Sequence, residues 1–537
     1  MPRLTRRAYA DSLRKGLELP KNGIWLATLV AGGFVLALGL RAVLRSPLNV
    51  DEELTLRIAR EAFGSIFGTV RGRGGGPFHF WLEHLTTAWP GGLAGLRVPS
   101  IVFMLAALPA VALIAEELAG RAEAAAAVLL LASAPLAISY SSFGRPHTML
   151  LAWIEWGTFF ALRAARRDDA RLWVVGGAFL GSSVFVHPTA PLYAATAFGS
   201  ALVYARRPLR AWPGLIALAV TLLPYYTATA HTLSSRYGVG GGVLNRFTLA
   251  AALGLLVLLA LRRVRAAAVL ALTVAAPAVF FSVVPTKGLS ALFFDRYMLP
   301  ALPSFLVLVA VACAAVARLA WRLRLVALAV LVGAFMWVGM NIVLARQTQL
   351  ARLGLGELTS AVRAQSRDAV LFGSTGFALP GYYLGYFTFG RPPNLADRYL
   401  SLRVDVPLVN DDACAPVVDF LAKDGPPRHG MWVFWAVVAA DHDKAVAAFR
   451  RVSGVQLTEP YRHFIVLRSR SALPPRRLVE LGLELRRTWV RAVPFNRRAN
   501  LLVAADRTAL QHPAACKSVG VLGDPDIVPN YPLPASP

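Results

Sequence analysis

Residues 24–44 form an apolar stretch interrupted by one charged side chain, Arg41. At 1.5 Å per helical residue, roughly 20 such residues cross the hydrocarbon core of a bilayer. Lipid offers no hydrogen bonds to the backbone, so a stretch like this can cross only as a helix or as part of a closed barrel. Ten further apolar segments follow at about residues 97–118, 123–140, 147–162, 172–187, 188–205, 212–230, 248–261, 266–284, 298–317 and 325–344. The expectation is therefore a polytopic α-helical membrane protein with about eleven transmembrane helices. The composition agrees, since 56% of residues are hydrophobic and only 16% charged, which does not suit a soluble domain.

The formal net charge of +26 does not point to nucleic acid, because the basic residues are parcelled into short loops between spans. That distribution is a topology signal. The basic N-terminus MPRLTRRAYADSLRKG precedes a span without a small-residue cleavage site, which reads as an uncleaved anchor. With this terminus cytoplasmic, the Arg-rich connections 163–171, 206–210, 262–265 and 318–324 all fall inside. Residues 45–96, the turn near Arg145, residues 285–297 and everything after 345 then fall outside. Ala- and Arg-rich usage fits a GC-rich bacterial genome, and so a bacterial cytoplasmic (inner) membrane.

After residue 345 the character changes. Short apolar runs, DAVLFG, GMWVFWAVV and HFIVLRS, alternate with helix-like stretches such as HDKAVAAFRRV. This predicts an extracytoplasmic α/β domain over 345–537, following a transmembrane domain over 1–344 with surface helices at about 51–92. Of three cysteines, Cys313 lies in a span and reads as a packing residue. Cys414 and Cys516 fall in the outer domain, where a disulfide can persist; a disulfide and two free thiols are the two readings.

Candidate chemistry gathers in the outer segments. Asp51, Glu52 and Glu53 stand just beyond the first span, where a carboxylate can take a proton from a hydroxyl nucleophile. Acids at a helix start also complement its dipole, and that reading stays open. DEELTLRIARE is expected to lie on the membrane as an amphipathic helix with Leu54, Ile58 and Ala62 on one face. GRGGGPFHFWLEHL joins a glycine turn to a second surface helix. Its glycines are followed by no Gly-Lys-Ser/Thr and form no P-loop. His79 and His84 flank Glu83 without the i, i+4 spacing of a zinc helix, so no metal set and no cofactor are read.

Arg145 and His147 in YSSFGRPHTMLL, His187 in VFVHPTAP, and Lys287, Arg296 and Tyr297 in PTKGLSALFFDRYMLPALP fall at outer span ends. Cations there suit a lipid phosphate, which Arg can grip through two hydrogen bonds. Lone histidines at an interface are also ordinary polar ends. A lipid or glycan transporter or flippase is the alternative class, but it would carry ionisable groups along a path through the bilayer, and here Glu155 alone sits well inside a span.

Taken in order, the Asp-Glu pair, the Pro-Phe-His-Phe-Trp helix, LRVPSIVFML, YSSFGRPHTMLL, FVHPTA and RYMLPALP resemble bacterial glycosyltransferase family 39 enzymes of the GT-C fold. These are relatives of protein O-mannosyltransferases and of aminoarabinose transferases acting on lipid A. The resemblance covers residues 24 to about 320. It implies inverting transfer of a sugar from a polyprenyl-phosphate donor to an acceptor hydroxyl on a glycan, lipid or protein. By the same resemblance Asp51 matches the catalytic acid and Glu52 its neighbour, while Arg296 and Tyr297 match an Arg-Tyr element near the donor phosphate. Arg145, His147, His187, Lys287 and His79 join them as donor or substrate contacts. Family members often carry an acid or Gln and then Tyr where this chain has SSFGRPH, a departure that bears on Arg145 and His147. An inverting displacement from a phosphate leaving group needs one base and positive charge, not two carboxylates.

Overall fold

A computed structural model describes residues 19–45, 52, 55, 58–59, 61–72, 76–87, 93–229, 246–283, 297–320 and 323–351, and five strands between 369 and 469. The chain forms two compact units, one of residues 1–44 with 55–347 and one of residues 45–54 with 348–537.

The first unit is helical. Its helices are α1 (Lys21–Arg45), α2 (Phe63–Gly72), α3 (Pro77–Thr87), α4 (Leu93–Leu118), α5 (Arg121–Ser133), α6 (Pro135–Ser141) and α7 (His147–Arg167). There follow α8 (Ala170–Ser182), α9 (Ala190–Tyr204), α10 (Trp212–Thr229), α11 (Arg246–Ala260), α12 (Val264–Val283), α13 (Leu302–Arg318) and α14 (Arg324–Ala351). Each expected span coincides with one of these helices or with a joined pair. Among the described residues four helices are long and apolar enough to cross a membrane by length and composition, or five if the bent pair α5–α6 counts as one span. The protein is a multi-pass membrane protein.

Packing divides each helix into a seam and a lipid-type face. On α1, Ile24, Ala27, Ala31, Val35, Leu38 and Ala42 are buried at three- and four-residue steps, while Leu26, Leu29 and Leu40 are exposed. That is the 3.6-residue period, with apolar residues on both faces because the outer one needs no water. Central α13 is buried without a break from Leu306 to Ala314.

Two expectations are corrected. The segment 123–140 is not one straight span: it bends by 60° between α5 and α6. Pro135, which lacks an N–H and cannot continue the hydrogen-bond ladder, opens α6. Among the described residues of the first surface segment, helical Glu52, Thr55, Ile58 and Ala59 are buried, whereas Ala62 is exposed. The buried stripe among the described residues thus includes Glu52 and Thr55, is partly polar and leaves out Ala62, while Leu54 lies outside the described residues.

Helices α8 and α10 meet backbone to backbone. A Cβ on Gly177 would fall inside the Gly214 carbonyl, and one on Gly181 would collide with Thr221 and the Leu218 carbonyl. Small residues of this kind let helices approach closely where no hydrophobic force drives them together.

The Arg-rich connections gather at one end of the unit. Glu117 binds Arg166 at 2.6 Å and Arg163 at 3.7 Å. Asp168, in left-handed conformation at the end of α7, binds Arg210 at 2.6 Å and Arg207 at 3.4 Å. Arg263 reaches the carbonyls of Leu118 and Ala119, and Arg318 pairs with Glu123. Helix α7 runs from this end to His147, about 30 Å away at 1.5 Å per residue.

In the second unit a mixed sheet has the order β2-β1-β3-β5-β4, with β1 (Ala369–Gly373), β2 (Leu400–Arg403), β3 (Met431–Trp435), β4 (Val455–Pro460) and β5 (Phe464–Ser469). Strand β1 lies parallel to both β2 and β3, and β5 lies antiparallel to β3 and β4. Strands β1, β3 and β5 fall within the three apolar runs. The helix-like stretch HDKAVAAFRRV lies outside the described residues.

Candidate active site

The start of α4 organises the His147 end. Gly95 lies so close to the Thr86 carbonyl, on α3, that a Cβ has no room, and Gly144 is held equally close to Leu96. Ser100 Oγ donates to the carbonyl of Phe143 at 2.6 Å and approaches that of Arg145 at 3.4 Å. Arg97 Nη1 approaches the carbonyls of Ala42 and Val43 at 3.5 and 3.4 Å. One helix start therefore holds α3, the turn before α7 and the end of α1.

Helix α3 is apolar on average, yet it buries polar side chains. His79 and Glu83, one turn apart, are 1% and 0% exposed. Phe78 stacks on Phe185 with ring centroids 5.3 Å apart, and Trp81 stacks on Phe63 at 5.5 Å. Gly76, just before the helix, lies against the Phe185–Val186 backbone where any Cβ would collide. His84 Nδ1 lies 2.7 Å from the Ala59 carbonyl, tying α3 to the preceding segment.

Burial, and secondly the charge of Arg145, push the His79 pKa down to about 3, against a hydrogen bond with the Gly144 backbone that acts the other way. The imidazole is neutral at physiological pH. Its 3.5 Å approach to Glu83 is consequently not an ion pair, although the distance alone would allow one. Arg145 is half-buried, and its Nε is sealed from solvent with no hydrogen-bond partner among the described residues.

A second cluster gathers three rings from separate parts of the chain. His147, at the start of α7, lies 5.5 Å from His187 and 6.4 Å from Tyr297, centroid to centroid, and His187 lies 5.9 Å from Tyr297. Tyr140 packs edge-on against His147 at 4.9 Å. The Thr189 N–H donates to His187 Nδ1 at 3.2 Å, and Thr189 Oγ1 lies 2.8 Å from the same nitrogen. A nitrogen that accepts from a backbone N–H carries no proton, so neutral His187 carries it on Nε2. Buried Tyr193, on α9, donates its hydroxyl to the Tyr297 carbonyl. This bond holds the backbone one residue after Arg296.

The structure thus brings His147, His187 and Tyr297 together, and places His79 beside Arg145. Glu52 is buried. Asp51, Lys287, Arg296, Cys414 and Cys516 lie outside the described residues. Among the described residues no three His, Cys, Asp or Glu side chains converge as a metal site.

Residues 75–231, which include the His79, Arg145, His147 and His187 positions, match the family model of dolichyl-phosphate-mannose-protein mannosyltransferases. Two crystal structures of ArnT from Cupriavidus metallidurans, one apo and one bound to undecaprenyl phosphate, match with a TM-score of 0.54 and 16% identity over 83% of this chain. The matches cover 97% and 98% of those chains. The chain is a GT-C-type protein resembling the protein O-mannosyltransferases. An Archaeoglobus fulgidus oligosaccharyltransferase, in complex with Zn and sulfate, also matches, with a TM-score of 0.46 and 13% identity over 79% of this chain and 69% of that one. No curated protein matches.

Several residues of the GT-C end carry no sequence signal of their own. Thr189 and Tyr193 look like ordinary residues of an apolar helix start, and only their partners give them meaning. Glu83 is visible as an acid between two histidines, but its complete burial is not. Arg97 could have been noticed as the one charge entering the α4 span.

Proposed function

We propose that the protein is an inverting membrane glycosyltransferase that moves a sugar from a polyprenyl-phosphate donor to an acceptor hydroxyl on the extracytoplasmic face of a bacterial inner membrane. Residues 1–344, with about eleven spans, form the catalytic domain, and residues 345–537 form an outer α/β domain. Asp51 is the base that takes the proton from the acceptor hydroxyl, with Glu52 beside it. Arg296 and Lys287 meet the charge that grows on the departing phosphate, a role for which a guanidinium fork is well shaped.

The observation that carries this reading is the gathering of His147, His187 and Tyr297 at one end of a GT-C fold. Three polar rings meet there, and one of them, Tyr297, directly follows Arg296 in the chain. Neutral His187 carries its proton on Nε2, so the cluster contains an N–H donor. ArnT, of the same fold, has been crystallised with undecaprenyl phosphate, which supports a polyprenyl-phosphate donor here.

The test is radiolabel transfer in membranes offered a panel of polyprenyl-phosphate sugars. A transferase moves label to a new acceptor with release of polyprenyl phosphate. A transporter or flippase moves intact sugar-lipid between leaflets without breaking that bond, and such a result with every donor would reject the proposal.

A further inference from the structure

The turn between α9 and α10 carries the most exposed large apolar side chain among the described residues, Leu209, 89% exposed. It is a single 3-10 turn, Pro208–Ala211, and α10 starts directly after it at Trp212, itself 63% exposed. Apolar groups fixed in the open are stabilised only where something apolar receives them. Tryptophan at the end of a span is enriched at the membrane–water boundary. The turn is nevertheless firmly mounted. It packs on α8 and α9, and Ala211 is buried. Arg207 and Arg210 both donate to Oδ2 of Asp168, at 3.4 and 2.6 Å.

Cations outnumber acids around this turn. Arg171 and Arg206 are exposed, and neither side chain has a partner among the described residues. Arg171 belongs to the group because α8 and α10 run side by side in one direction, with Trp173 and Gly177 against Gly214 and Gly181 against Leu218. The starts of the two helices, Ala170 and Trp212, therefore stand level. Against Arg171, Arg206, Arg207 and Arg210 stand Asp168 and Asp169. Asp169 is occupied in capping α8, where it accepts the N–H groups of Arg171 and Leu172. Two guanidinium forks on Asp168 offer far more N–H donors than one carboxylate accepts.

We infer that this turn is a headgroup site for an anionic phospholipid, with Leu209 and Trp212 in the edge of the acyl layer and Arg171, Arg206 and Arg210 on the phosphate. An apolar anchor set among fixed cations calls for a ligand with an apolar tail and an anionic head, and a guanidinium grips phosphate oxygens through two parallel hydrogen bonds. A free phosphate would leave Leu209 and Trp212 in water. A zwitterionic lipid would bring its own cation against the arginines. The site lies at the Arg-rich end of α7, opposite His147, so it stands apart from the proposed transfer reaction.

The test uses the full chain in mild detergent, with bound phosphatidylglycerol and phosphatidylcholine titrated by native mass spectrometry. Each arginine near a lipid surface is worth roughly fivefold in affinity for anionic lipid. Arg171→Gln with Arg206→Gln removes two exposed cations that bind no described protein group. It should weaken phosphatidylglycerol binding by roughly 20- to 30-fold and leave phosphatidylcholine unchanged. Arg262→Gln with Arg265→Gln takes the same charge from another Arg-rich connection and should change binding by less than about threefold. Phosphatidylglycerol brominated near the start of its acyl chains should quench the fluorescence of the wild type more than that of Trp212→Phe. Equal losses in the two double variants would mean that surface charge acts without a site. Equal wild-type affinity for the two lipids, displacement of phosphatidylglycerol by glycerol 3-phosphate at similar concentration, or equal quenching with and without Trp212 would each overturn the inference.

Discussion

Arg318 Nη2 donates to Glu123 Oε1 at 2.5 Å, joining α13 to α5 through two side chains that are 6% and 4% exposed. Breaking such a pair from one side strands a charge away from water, which typically costs roughly 3–5 kcal/mol, while replacing both partners by apolar residues is often close to neutral. Arg318→Met should therefore lower the thermal midpoint in detergent markedly, and Arg318→Met with Glu123→Leu should recover most of the loss. A double variant as unstable as the single one would mean that the pair contributes net stability.

His79 predicts an acid-sensitive fold. Its ring is held at a pKa of about 3 in the folded protein, against 6.5 when free. Between these values the unfolded chain binds a proton that the folded chain refuses, so stability falls as pH falls from 6.5 towards 3 by about 1.4 kcal/mol per pH unit. Above 6.5 this contribution is flat. In His79→Asn the thermal midpoint should lose part of its decline between pH 7 and 4.5. Parallel curves for the two proteins would show that His79 is not the responsible group.

Asp51→Asn preserves size and removes proton affinity. Sugar transfer should fall by on the order of 100-fold or more, the usual cost of losing a general base, with expression and folding near normal. If activity stays within a few-fold of wild type, the base is Glu52 or Glu53, and the corresponding Gln variants will identify it.

Arg296→Ala should raise the donor concentration needed for half-maximal rate more than Lys287→Ala does, because a guanidinium binds phosphate through two parallel hydrogen bonds and an ammonium acts as a point charge. Were both variants to keep the wild-type donor dependence, Arg145 would be the next cation to test.

A bond between Cys414 and Cys516 should make the outer domain sensitive to reduction. Closing a loop of roughly 100 residues is expected to contribute about 4.7 kcal/mol in the chain-entropy picture. Mass spectrometry of the unreduced protein should find both thiols masked and linked; two free thiols would exclude the bond.

Hydropathy located the helices, because a lipid-facing helix must be apolar whatever it packs against. The same property hid how the helices fit together. Leu26 and Ala27 are equally apolar in sequence, yet only Ala27 is in the seam, and no periodicity in polarity separates them. The site was legible where polar residues interrupt apolar runs, as at Arg145, His147 and His187. It was illegible where a residue's role lies in a distant partner. Ser100 binds carbonyls 43 and 45 residues away, and Tyr193 a carbonyl 104 residues away. Ala62 was misplaced because an apolar face was assumed, while the buried stripe of that segment includes Glu52 and Thr55.

The glycine seam between α8 and α10 reaches beyond packing. With backbones in contact at Gly177 and Gly214, no acyl chain can wedge between the two helices. A lone 13-residue helix such as α8 would rock freely in a fluid bilayer. His187, five residues beyond its end, instead follows a helix braced along its length by α10. A bulkier residue at Gly177 would meet the Gly214 carbonyl and push the two helices apart without touching any ring of the cluster, and its signature would be a broadened spread of donor orientations rather than a lost cluster contact.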